Sequence, residues 1–186
     1  MKETGIIMSG NHPRLILDLI KTMTRRTYGL EEINKDPDKW QLVAVFQDGL
    51  ARFYNAETEE DITLKCPYGG VVDRLWVRET FCQVCYKNDD VEDVCYKEDL
   101  EAEGHIDCLG LKYSPSIHMP RWASRITLEI TEEKVARTQD LTLAEAIAEG
   151  YSSIEEANRV FLKLVHLPES SNGWNWVIFY KLILGH

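Results

Sequence analysis

Positive charge, long apolar runs and paired cysteines are all scarce in this sequence of 186 residues. Lys and Arg number 21 against 31 Asp and Glu, a formal net charge of −10, so bulk attraction to nucleic acid or anionic membranes is absent. Any nucleic-acid role needs a local basic patch. No stretch approaches the ~18 apolar residues of a membrane span. Met1-Lys2-Glu3-Thr4 leads into only a short apolar stretch, unlike a secretory leader. Five cysteines, an odd number, argue for reduced thiols and a cytoplasmic location. Internal repeats and low-complexity tracts are also missing.

What is there is enough for a sizeable core. At 44% hydrophobic, a chain of this length buries roughly 70% of its unfolded surface. The charge is uneven. Residues 82–108 hold nine acids and two lysines, giving −7, whereas residues 1–30 hold five bases against Glu3 and Asp18, giving +3. Segment 82–112 reads as an acidic, weakly periodic insertion.

Thr4–Met8 is a strand candidate. Asn11 or His12 is placed to cap a helix with Pro13 in its first turn. Leu15, Ile16, Leu19, Ile20 and Met23 then keep the spacing of a buried helix face, which predicts a helix through Met23. Its end, Lys21-Thr22-Met23-Thr24-Arg25-Arg26, gathers three cations and two threonines on an acidic chain. Asp48-Gly49 between Leu42–Phe46 and Leu50–Tyr54 predicts a hairpin. Ile62–Lys65, Leu75–Glu79, Arg125–Val135 and Trp174–Leu184 read as strands. Thr142 with Glu145 is a capping-box pattern for a short helix ended by Gly150, and Ser153 with Glu156 is a second. That second helix has Ala157, Val160, Phe161 and Leu164 as its apolar face. The sum is an α+β fold with a small barrel or strongly curved sheet.

Four stretches, "SGNHPRLILDLIKTMTRR", "CPYGGVVDRLWVRETF", "KYSPSIHMPRWASRITLEIT" and "QDLTLAEAIAEGY", together resemble the ASCH domain. That family is a relative of the PUA fold, in a form often encoded by bacteriophages and prophages. The resemblance covers nearly the whole chain except 30–65 and 82–112, and implies a single ASCH (PUA-like) domain over 1–186 with 82–112 inserted. It also implies a β-barrel with a cleft for RNA or a modified nucleobase. One small bacterial member removes the acetyl group of N4-acetylcytidine. Its Lys-Thr-x-Thr step is similar to Lys21–Thr24, and its glutamate follows a Leu-Thr helix start as Glu149 follows Leu141-Thr142. The resemblance therefore implies Lys21, Thr24 and Glu149 as a catalytic set that needs no metal or cofactor. Family members usually carry glycine two residues before the lysine. Leu19 stands there, and a longer helix is expected.

On such a helix Lys21, Thr24 and Arg25 share a face. A desolvated lysine can then activate a hydroxyl or water, with Glu149 holding it or shuttling a proton. The competing reading is electrostatic: cations near a helix C-terminus complement its dipole, worth ~0.3–1 kcal/mol. Arg25, Arg26, Arg74, Arg78, Arg121 and Arg125 suit phosphate. Trp76 reads as core, while Trp122 is equally a base-stacking residue or core. His118 is either a hydrogen-bonded structural residue or part of the cleft. Glu79 pairs across the cleft or guards a sheet edge. Cys82-Gln-Val-Cys85 with Cys95 and Cys108 matches no standard zinc spacing, and no EF-hand pattern is present, so a solvated acidic loop is expected.

Three functions remain open: hydrolysis of an N4-acylated cytidine, binding or cleavage of RNA, and a phage accessory role in which the acidic insertion engages a host protein.

Overall fold

The computed structural model describes residues 1–46, 48–86, 90–103 and 112–183, the side chains of 84–92 excepted. Among the described residues there are ten strands and four α-helices. In chain order they are β1 (Glu3–Ile7), α1 (His12–Leu17), β2 (Met23–Arg26), β3 (Trp40–Val45), β4 (Leu50–Asn55), β5 (Glu60–Lys65) and β6 (Arg74–Arg78). They continue as β7 (Phe81–Tyr86), β8 (Asp90–Tyr96), α2 (Lys97–Ala102), β9 (Thr127–Arg137), α3 (Leu143–Ala148), α4 (Ile154–Leu164) and β10 (Trp174–Ile183). None of the helices is long and apolar enough to cross a membrane, among the described residues.

The strands form a five-stranded sheet in the order β1-β6-β9-β10-β2, a meander β3-β4-β5 and a hairpin β7-β8. Among the described residues only β1 and β6 pair in parallel. Alternation along β9 and β10 sends Leu128, Ile130, Trp176 and Ile178 to one face, where Leu75, Val77, Ala51 and Phe53 meet them. The opposite face of β10 and β2 carries Val177 and Met23, covered by Leu141, Ala146 and Ala157 from α3, α4 and the turn before them. With both faces covered, β10 carries an unbroken apolar run from Trp176 to Tyr180.

The expected barrel is instead a curved sheet whose edges approach without a ladder. β1 and β2 are its two edge strands. Arg26 Nη2 donates to the Ile7 carbonyl at 2.8 Å, spanning the gap. The outward N–H of Arg25 on β2 goes to Glu149 Oε1 at 3.1 Å, so that donor is already taken and is not free for strand pairing.

The expected helix through Met23 is corrected. α1 ends at Leu17, because Ile20 N–H bonds Leu15 O at 2.9 Å and Leu19 N–H bonds Ile16 O at 3.0 Å. That is the bonding of a Schellman cap, and its left-handed position is Leu19 with φ 58°. Leu19 adopts a conformation suited to glycine, so the helix is not lengthened. The strain makes a prediction. Leu19 is exposed, so Leu19→Gly is expected to stabilise the chain by about 0.5–1 kcal/mol, read as a higher urea midpoint. A lower midpoint contradicts this.

The acidic insertion is not a bare loop. It forms the β7-β8 hairpin and α2, which packs against α1. Arg125 anchors it: its Nε and Nη2 bond Glu79 at 3.0 and 2.9 Å, it pairs with Asp99 of α2, and its guanidinium lies 3.8 Å over the Tyr96 ring. Glu79 is thus an ion-pair partner, not an edge guard. On α4 the buried face is Ala157, Phe161 and Leu162, while Leu164 is exposed.

Candidate functional site

Two helix ends create the site. α3 opens with the full capping box of Thr142 and Glu145 and closes on Gly150 at φ 97°. Glu149 is its C-terminal cap residue. Gly150 N–H bonds Ile147 O and Tyr151 N–H bonds Ala146 O, each at 2.9 Å, again a Schellman arrangement. A Cβ on Gly150 would stand 2.9 Å from Leu15 Cδ1 of α1, a side-chain end that can shift, so it is the left-handed φ that favours glycine here. Thr22 N–H donates to Ala148 O at 2.8 Å, and Lys21 Nζ to Glu149 O at 2.7 Å. The cation does complement a helix C-terminus, but that of α3, not of its own helix.

The Glu149 carboxylate faces Arg25 instead. Its Oε2 accepts from Arg25 Nε at 2.7 Å and its Oε1 from the Arg25 backbone. Arg25 also donates to Asn158 Oδ1 at 2.6 Å and Ala157 O at 3.0 Å, and lies 4.4 Å above the Phe161 ring. Lys21, Thr24, Arg25 and Glu149 expose 1%, 0%, 2% and 4% of their surface, so the site is closed. Open cavities of about 260 and 270 Å³ lie elsewhere, beside Thr27, Asn34 and Leu167 and beside Val45, Val71 and Glu132.

Burial decides the protonation here. It pulls the Lys21 ammonium down to about 7, aided by Arg26 and Arg25 and only partly offset by Glu149. His12 is pulled down to about 3, by burial first and then by Lys21 and Arg26. Its Nε2 lies 3.2 Å from the Tyr151 hydroxyl, which burial and then Glu149 push up to about 12. The cluster thus holds a neutral imidazole, a protonated phenol and an amine that titrates near neutral pH.

The expected site residues fall into three groups. Lys21, Arg25 and Glu149 converge. Thr24 is one residue from Arg25 on a strand, not one helical turn from Lys21, and so lies on the other face of β2. It pairs in register with core Ile178, and its hydroxyl is buried without a hydrogen-bond partner. The second group is a rim. Arg26 bonds Ile7 O and Met8 Sδ, Met8 N–H bonds Arg78 O, and the Arg78 side chain donates to Ile117 O beside exposed His118. Arg121 and Trp122 stand apart. Arg121 is bound to Glu3 and Thr127, near the far end of β1, and Trp122 is 61% exposed, so it is not core. Trp76 is half-buried under Arg78. Arg25 and Arg125, read as phosphate contacts, are instead committed to carboxylates.

Sequence reasoning missed His12, Tyr151 and Asn158. The signal for the first two is sequence adjacency to Pro13 and to the Glu149-Gly150 helix end; Asn158 carried none. Among the described residues no group of three or more His, Cys, Asp or Glu is placed to hold a metal. Cys108 and the Cys85 side chain lie outside the described residues.

No family model matches the chain, and no curated protein matches it. A solved structure similar to it is protein EF3133 from Enterococcus faecalis V583, described with the family DUF984. It shares 10% identity over 98% of this chain and 77% of that one, with a TM-score of 0.43. At that distance the likeness decides neither fold nor activity.

Proposed function

We propose that this chain binds RNA or a modified nucleoside at the seam between β1 and β2 and hydrolyses the amide of an N4-acylated cytidine. The observation that carries this reading is the buried Lys21 amine, which titrates at about 7 beside Glu149. A lysine neutral at working pH is a general base. In the proposed step it takes a proton from water as the oxygen adds to the acyl carbon, then returns it to the departing exocyclic nitrogen. Amide and water become carboxylic acid and amine, and the acid then releases its proton to solvent. Glu149 holds Lys21 through its backbone oxygen. Arg26, Arg78 and His118 form the rim that meets the rest of the nucleoside, and Arg26 must leave Ile7 for the seam to open.

The test is acetate release from N4-acetylcytidine by the purified protein. Turnover is expected, with kcat/KM rising through about pH 7 as Lys21 loses its proton. Lys21→Ala is expected to lose about 10²–10⁴-fold. No turnover on any of a panel of acylated nucleosides contradicts the enzymatic reading. The exposed Trp122 favours a second reading, RNA binding without chemistry, in which its ring stacks on a base. Affinity then falls with salt in proportion to the phosphates contacted, and RNA is either held or cut with no acyl group released.

A further inference from the structure

The insertion carries a feature that the nucleoside reading does not use. Cys82 on β7 and Cys95 on β8 stand directly opposite each other in the hairpin, while Cys85 stands opposite Val91. Directly opposed residues send their side chains to the same face. The register also fixes their spacing. The backbone of Phe81 is turned to Ser114, bonding it at 3.2 and 2.7 Å in the two directions, so the Cys82 backbone turns the other way, to Cys95. Hydrogen-bonded antiparallel partners have Cα atoms about 5.5 Å apart, inside the ~4.4–6.8 Å window of a disulfide. Cys82 and Cys95 both carry free thiols, and Cys95 is near enough to add to the upward push that burial gives the Cys82 thiol. Cys66, the other cysteine whose side chain is described, is elsewhere, in the core after β5.

Access is one-sided. Cys82 is 1% exposed. Cys95 is half-buried and lines an open cavity of about 250 Å³ with Val94, Tyr96, Asp99, Leu100 and Arg125. A small disulfide can reach Cys95 there but not Cys82.

We infer that Cys82 and Cys95 are a reversible oxidation site, at which a low-molecular-weight disulfide closes a cross-strand bond that staples the acidic insertion. The Cys95 thiolate attacks the oxidant, forming a mixed disulfide and expelling one thiolate. Cys82 then loses its proton and attacks the Cys95 sulfur, expelling the second. Two protein thiols are oxidised, two protons leave, and one molecule of oxidant becomes two thiols. Burial keeps the Cys82 thiol protonated at neutral pH, so the second step is the slower one and quickens as pH rises. The bond falls where β8 runs into α2, which Asp99 ties to Arg125 and which packs on α1. This inference does not depend on the nucleoside reading.

The experiment treats the full native chain with oxidised glutathione and follows intact mass and non-reducing peptide maps. The expected product is about 2 Da lighter than the reduced chain, with two fewer alkylatable thiols, a Cys82–Cys95 linked peptide, and full reversal by dithiothreitol. Cys95→Ser is expected to abolish both glutathione capture and the link, whereas Cys82→Ser is expected to accumulate the stable Cys95 mixed disulfide. If Cys82→Ser proves unfolded, trapping of the mixed disulfide on the native chain at low pH replaces it. A Cys82–Cys85 link, a link to Cys108, or an unchanged mass after oxidation at pH 8.5 overturns the assignment.

Discussion

Glu149→Ala is expected to destabilise the chain by about 3–5 kcal/mol, measured as the loss in urea-unfolding free energy. The carboxylate is the anion paired with Arg25 in a setting where the two expose 2% and 4%. Removing it leaves a guanidinium in the interior with only neutral acceptors, Asn158 Oδ1 and Ala157 O. Breaking a buried pair from one side costs far more than replacing both partners, because the surviving charge stays desolvated. The double variant Arg25→Met with Glu149→Leu is therefore expected to recover most of the loss. A single-variant cost under about 1 kcal/mol would show that Arg25 reaches water and that the site is not closed as described.

The second large effect is Lys21→Met, and its sign depends on pH. Lys21 titrates at about 7 in the folded chain, below the ordinary value of 10.5. Between those limits the unfolded chain holds a proton that the folded chain does not, so native stability rises with pH, by about 1.4 kcal/mol per unit for this one group. Below pH 7 both states are charged and the full cost of burying the ammonium is present, on the order of 5 kcal/mol. Methionine fills similar space and carries no charge, at the loss of one hydrogen bond to Glu149 O worth ~1 kcal/mol. Lys21→Met is thus expected to be several kcal/mol more stable than the native chain at pH 6. That advantage should shrink steadily towards pH 10. Parallel stability profiles of the two proteins across pH 6–10 would contradict it. If the nucleoside reading holds, the same variant is inactive despite its stability, which separates loss of the base from loss of the fold.

The parts of this fold that were legible in the sequence rest on local chemistry. The capping box at Thr142 and Glu145 formed as its residues dictate, and Gly150 took the left-handed conformation that ends α3. The alternation in β9 and the Asp48-Gly49 turn placed strands close to where they lie. The helix end was illegible for a physical reason. Leu19 and Ile20 continue the apolar spacing past Leu17, and nothing local announces a leucine at φ 58°. β2 was hidden because its sequence, Met-Thr-Arg-Arg, is polar yet buried, with Arg25 covered by α4 residues more than 130 positions away. The β7-β8 hairpin was masked by acidic residues that a solvated edge tolerates and that lower the apparent periodicity.

The site divides along the same line. Lys21 and Glu149 came from a resemblance to a family motif, and the fold brings them together through two helix caps. What the pattern could not convey is that Glu149 turns its carboxylate to Arg25 and only its carbonyl to Lys21, since that depends on which edge of β2 is free. Thr24 shows the converse. Its proximity in sequence suggested a shared helix face, and strand geometry puts it on the opposite face with its hydroxyl unpartnered.

The most direct test of the account is the titration of Lys21 itself, followed by NMR at its side-chain Cε and Nζ with assignment from Lys21→Met. The account predicts an inflection near pH 7, set by burial beside Arg25 and Arg26. An inflection above about pH 10, the range of a solvated lysine, would contradict it and leave Lys21 a structural cation at the end of α3.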